Sequence, residues 1–229
     1  MSASTAMACA HAIGIHRECF ERFARRVRGN PANFYPRRAL EGRRVTPHFE
    51  MYRETVLECV TRERFAALQQ SPSRVRFLVA LAPRLRPLAV LLASTVIVTK
   101  GRAPLMRAHA IDVRALDGPD ALADAILASS AFPPFTPMPR IAGRLAVDGG
   151  VVEMVPLSLA SPGARVTAVL TRPRPWRPLP PSVRVIAPRR ELPVAMWDYS
   201  DERGITVAYD EGRRAGEAIA AQCQTAQVE

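Results

Sequence analysis

Short apolar runs and amphipathic stripes take turns along this chain, and no stretch repeats another. Residues 75–82, 110–113, 141–147, 165–171 and 183–187 read as strands. Helical patterns lie among them. Over residues 2–28, Ile15, Cys19, Phe20, Phe23 and Val27 recur at three- and four-residue intervals, so one helix is expected, stopped by Gly29, Asn30 and Pro31. Met51, Tyr52, Thr55, Val56, Cys59 and Val60 mark a second. Pro119 at a first helical position and Asp120 in the first turn announce a third over 120–129. Ser200 is the expected cap of a last helix reaching about residue 222, with Asp201 and Glu202 where the helix dipole favours acids. Strands alternating with helices imply an α/β sheet covered by helices on both faces.

Two stretches admit more than one reading. The apolar run 88–98, flanked by Arg84, Arg86, Lys100 and Arg102, is about half the length of a membrane span. It is either a core helix or an apolar flap at a lipid interface, and a run this short is more often buried. Residues 173–181 hold five prolines and Trp176, which suits a polyproline ligand or a surface crossover between two strands. The position between strands favours the crossover.

Composition narrows the class. Among 229 residues, 48% hydrophobic and 23% charged with 21 Pro and 12 Gly exclude a collagen-like, disordered or disulfide-scaffold chain, and one domain spanning 1–229 is expected. The formal net charge is +11, yet Lys100 is the sole lysine and arginine supplies the rest. A positive balance attracts phosphates and anionic lipid surfaces. It is not gathered into one tract, so nucleic acid is not an expected partner. Cys9, Cys19, Cys59 and Cys223 lie far apart without a C-x-x-C pair, which speaks for reduced, buried thiols and against a zinc knuckle or a thioredoxin-like site. No metal-ligand spacing and no phosphate-cradling glycine loop is seen, so neither metal nor cofactor is expected. The start lacks a basic region followed by an apolar one, which gives a cytoplasmic expectation with peripheral membrane contact.

Chemistry gathers at two places. Ser2 opens a run of very small residues, Ala3-Ser4-Thr5-Ala6, at the mouth of a helix whose free amide groups and partial positive charge favour negative charge on oxygen. The plainer reading of Ser2 and Ser4 is a frayed terminus with a helix cap. Asp148-Gly149-Gly150 ends a strand. An aspartate at the carboxyl end of a parallel strand sits where such sheets place their sites, and the two glycines permit a tight turn and close approach of another segment. The alternative is an ordinary Asp-Gly hairpin turn.

Taken with Ala128-Ser129-Ser130-Ala131-Phe132-Pro133-Pro134-Phe135, a proline-broken loop, this strand-Asp148-Gly149-Gly150 pattern resembles the second half of patatin-like phospholipases, acyl hydrolases with a Ser-Asp dyad. Met1-Ser2-Ala3-Ser4 resembles their G-x-S-x-G elbow, with Ser4 where the last glycine would stand. The resemblance is tight over 122–156. It implies a three-layer α/β/α fold with a mostly parallel sheet, Ser2 as nucleophile, Asp148 as its base, and Gly149, Gly150 and Ser4 in support. The implied substrate is a phospholipid or another lipid ester, cleaved by two-step acyl transfer. The family draws its oxyanion hole from a glycine-rich loop and strand ahead of the elbow. Only Met1 precedes Ser2 here, so the expectation is a domain lacking that segment and impaired in activity, each missing donor costing about 100- to 1000-fold. A non-catalytic paralogue acting as a binding protein is the alternative, and a basic surface binder without chemistry is a third. None of His11, His16, His48 and His109 stands in a Ser-His-Asp context.

Overall fold

The computed structural model describes residues 3–83, 106–133, 136–175, 178–195 and 198–225. The expected first helix is two. α1 (Ala3–Ala12) and α2 (His16–Arg28) are separated by a reversal through Gly14, at φ +75°. Their apolar stripe continues across the break because both helices bury it in one core, which is why the spacing conceals the break. α3 (His48–Cys59) follows, running antiparallel to α2 as the pairs Arg22–Glu58 and Arg26–Glu54 show. α4 (Arg62–Gln70) was not foreseen. Thr61 caps it, its Oγ1 accepting from the Arg64 amide at 3.3 Å, and only Phe65 and Leu68 are buried, too few to mark a periodic stripe.

β1 (Arg76–Leu81), β2 (Arg107–Asp112), α5 (Pro119–Ala128), β3 (Arg140–Ile141) and β4 (Arg144–Asp148) complete the centre. The sheet has the order β2-β1-β4-β3, and every neighbouring pair is antiparallel. This corrects the expected mostly parallel sheet. β2 and β4 do run the same way and α5 connects them, but β1 lies between them and opposes both. Alternation in sequence fixes that a crossover exists, not that its two strands touch. The expected single strand over 141–147 is likewise a hairpin. Ala142 (φ 48°) and Gly143 (φ 74°) form a two-residue turn with both residues left-handed, the geometry that joins antiparallel strands.

One sheet face carries the main core. Phe77, Val79 and Leu81 of β1, Ile111 of β2 and Ala146 of β4 pack with Tyr52, Val56, Phe65, Leu68, Leu122 and Ile126 from α3, α4 and α5. Leu122 and Val79 are fully buried, and such a side chain contributes about 1.5–3 kcal/mol. The opposite face is smaller. Ala80, Ala82, Met106 and Val147 gather there with Met138, Leu145, Val151 and Val152, Val151 coming from the 3-10 turn after β4. The run 88–98 lies outside the described residues.

Beyond the sheet, β5 (Thr167–Val169) and β6 (Arg184–Ile186) form a separate parallel pair, with the proline-rich stretch between them, as a crossover requires; Trp176 is outside the described residues. α6 (Glu202–Thr225) packs back on α2, where Phe20 stacks on Tyr209 at 3.9 Å. Its cap is Asp201 rather than Ser200: Oδ1 of Asp201 accepts from the Gly204 amide at 2.8 Å, while the Ser200 hydroxyl turns to Asp198. No helix among the described residues is long and apolar enough to cross a membrane.

Candidate active site

Asp148 is the last residue of β4, beside Val79 in the ladder with β1. The chain does not turn back as a hairpin there. Gly149–Val151 forms a 3-10 turn whose start is held by the aspartate itself, Oδ1 accepting from the Gly150 amide at 2.7 Å. A β-carbon at Gly149 would overlap the backbone carbonyl of Leu78 in β1, so the chain can pass the sheet here only as glycine. At Gly150 a β-carbon would lie 3.1 Å from Oδ1 of Asp148 and press on the carboxylate. The two glycines therefore serve backbone approach and a free line to the carboxylate.

Burial pushes the Asp148 carboxyl above its ordinary range, and the Gly150 amide offsets part of that rise. A carboxylate so placed is a better base than one in water. The strand end is fixed from the other side by the 129–133 loop: the Asp148 amide donates to the Ala131 carbonyl at 2.9 Å. Two residues earlier, buried Ser129 closes α5 by donating to the Ile126 carbonyl at 2.7 Å, and its Oγ lies 3.4 Å from Oγ1 of Thr5 in the first turns of α1. Ser130 donates to the same Ile126 carbonyl at 2.9 Å. A three-residue segment thus touches both Asp148 and the opening of α1.

Of the residues singled out in the sequence, Asp148, Gly149 and Gly150 are together at this point. Ser4 is exposed in the first turn of α1, and Ser2 lies outside the described residues. His109 is on β2 across Val79 from Asp148, about two strand spacings, or ~9.6 Å, away along the sheet. His48 is buried at the start of α3 against Tyr199, with ring centroids 4.2 Å apart, and His11 faces His16 at 5.3 Å. Thr5 was missed by sequence reasoning, and so was the role of the Ala131 carbonyl. The only signal for Thr5 was a hydroxyl one helical turn past Ser2, and a backbone acceptor leaves no mark on a sequence. Among the described residues no group of acidic, histidine or cysteine side chains has the arrangement of a metal site.

Comparison with curated proteins and with solved structures gives no match. The family model of the patatin-like phospholipases matches residues 3–161, a span that runs from the opening of α1 through the 129–133 loop and Asp148-Gly149-Gly150. With that match, over most of the chain and across the very strand end described above, the protein belongs to the patatin-like phospholipases, a family of lipid acyl hydrolases.

Proposed function

We propose that this chain is a serine acyl hydrolase of phospholipid or other lipid esters, with Ser2 as nucleophile and Asp148 as general base. The observation that supports it most is the shared brace: Ala131 holds the amide of Asp148, and Ser129 meets Thr5, three residues past Ser2. A carboxylate and the amino end of α1 fastened to one short segment are in a relation that a direct Ser-Asp contact requires.

In this reading Asp148 takes the proton of the Ser2 hydroxyl as its oxygen adds to the ester carbonyl. The tetrahedral adduct expels the alcohol, which receives that proton, and leaves an acyl-enzyme. Water, deprotonated by Asp148, then adds to the acyl carbonyl, the Ser2 Oγ–acyl bond breaks to release the fatty acid, and the proton returns from Asp148 to Ser2. The partial positive charge at the start of α1 favours the negative charge developing on oxygen. The raised basicity of the buried carboxyl serves both steps. Residues 1–229 act as one unit: the part beyond 161 is tied to the body by the Asn30 side-chain amide donating to the Tyr199 carbonyl at 2.7 Å and by Asn33 donating to Asp198 at 2.9 Å.

Release of fatty acid from phospholipid and of alcohol from a soluble short-chain ester tests this in the full chain. Ser2→Ala and Asp148→Asn are each expected to lower turnover by about 100- to 10,000-fold without loss of the folded state. Turnover by Asp148→Asn at the unaltered rate would overturn the dyad. A folded chain that binds lipid and cleaves no ester would instead favour the non-catalytic binding protein.

A further inference from the structure

Between α2 and α3 the chain makes an excursion, residues 29–47, that is built rather than frayed. The Tyr35 amide donates to the Val45 carbonyl at 2.7 Å and closes the loop. The Tyr35 hydroxyl donates to Asn30 Oδ1 at 2.7 Å and accepts from the Ala32 amide at 3.1 Å. A 3-10 helix, Pro36–Glu41, forms the far side, its end tied by the Gly42 amide to the Ala39 carbonyl at 3.1 Å, and the Arg38 guanidinium clasps the Glu50 carboxylate of α3.

This fixed scaffold presents apolar side chains to water. Leu40 is 90% exposed and Phe34 is 59% exposed. Around them stand Arg37, Arg38, Arg43 and Arg44, with Glu41 the sole acid between residues 34 and 44. Arg38 and Arg43 share Glu50, whereas Arg37 and Arg44 make no ion pair among the described residues. The other arginine-rich place differs. The groove of about 280 Å³ between α2 and α3 is lined by Arg22, Arg25, Arg26 and Glu58, and Glu18, Glu54 and Glu58 engage Arg22 and Arg26 there.

We propose that loop 29–47 is the surface by which this protein docks on an anionic lipid bilayer, Leu40 and Phe34 entering the acyl-chain boundary while Arg37 and Arg44 meet lipid phosphates. Leu40 stands 90% exposed on a 3-10 helix that buries none of its residues, so it offers one protruding side chain rather than a groove. Arginines alone would serve a nucleic acid, and Leu40 would then gain nothing. Only an interface with hydrocarbon beneath a layer of phosphates uses both features at once. The biological sense of such docking rests on the lipid-ester reading. α1 ends beside Ser71, whose hydroxyl donates to the Ala12 carbonyl at 3.0 Å, and α2 starts at that same end of the molecule. Thirteen residues of α2 then carry the chain about 20 Å from there to the loop.

Co-sedimentation of the full chain with vesicles of phosphatidylcholine, alone or mixed with phosphatidylglycerol, tests the proposal without turnover. The chain is expected to partition onto the mixed vesicles and to be released as salt rises. Leu40→Asp should weaken that partitioning at least about tenfold. Arg37→Gln and Arg44→Gln should each weaken it about fivefold. Circular dichroism melts of all three should match the parent, because these side chains hold no part of the fold. Equal partitioning onto neutral vesicles would overturn the proposal, as would a Leu40→Asp variant that binds like the parent. Binding to duplex DNA that rivals the vesicles and ignores Leu40→Asp would overturn it in favour of a general polyanion surface. Hydrolysis of a soluble short-chain ester is unchanged in Leu40→Asp, so failure of docking and failure of the Ser2–Asp148 reading give different results.

Discussion

At the end of β4 a half-buried carboxylate is held and a glycine is pressed against a backbone carbonyl; on the loop between α2 and α3 a leucine stands 90% exposed among arginines. Both regions depart from what folding alone favours, in opposite directions. Desolvating Asp148 costs stability, because its charged form loses water that the polar groups around it only partly replace. Exposing Leu40 and Phe34 forgoes burial that a chain with this core could have used. The first departure raises the basicity of one atom. The second keeps an apolar surface available to something outside the molecule. Substitutions should therefore act on chemistry and stability at the first region and on neither at the second.

The largest effect that would break this contrast concerns catalysis. Asp148→Asn keeps the shape of the side chain and should cost about 100- to 10,000-fold in ester hydrolysis, while Leu40→Asp changes the rate on a soluble ester by less than about twofold. Next is Gly149→Val, whose β-carbon meets the Leu78 carbonyl; a loss of about 3 kcal/mol or more is expected in denaturant unfolding, against about 0.5 kcal/mol or less for Leu40→Asp. The brace is weaker. Thr5→Val removes one neutral contact to Ser129 and should cost about 1 kcal/mol, with a fall in turnover if the opening of α1 shifts against Asp148.

The smallest effect is the most diagnostic for Asp148. Its folded pKa lies above the unfolded one, so the native state binds the proton more tightly, and the penalty grows as pH rises from the ordinary aspartate value through the folded value. Asp148→Asn is therefore expected to melt higher than the parent at neutral pH, with the gap closing on acidification toward pH of about 4. A variant that melts lower at neutral pH would mean that the carboxylate stabilises the fold rather than being stored against it.

Legibility in the sequence followed how far each feature depends on local chemistry. Asp148-Gly149-Gly150 and the 129–133 loop could be read because consecutive prolines and glycines permit few backbone paths, and the strand β1 because a run of apolar residues this short fits a buried strand. The direction of the strands could not: a helix joining β2 to β4 reads the same whether or not β1 is inserted between them. The break between α1 and α2 was hidden by an apolar spacing that both helices share, and the hairpin at Ala142–Gly143 by a turn that opens with an alanine. Asp201 displaced Ser200 as the cap because Asp198 draws the serine hydroxyl away, a contact no local pattern announces. At the candidate site Asp148 and its two glycines were readable, and the contacts around them were not, since a carbonyl and a threonine at the opening of α1 carry no signature.

The measurement that bears most directly on the Ser2–Asp148 dyad is labelling of the full chain with a fluorophosphonate, with the modified residue mapped by peptide mass spectrometry. The dyad predicts the adduct on Ser2 and its loss or strong slowing in Asp148→Asn. An adduct on another residue, or labelling of Ser2 at the same rate in Asp148→Asn, would contradict it.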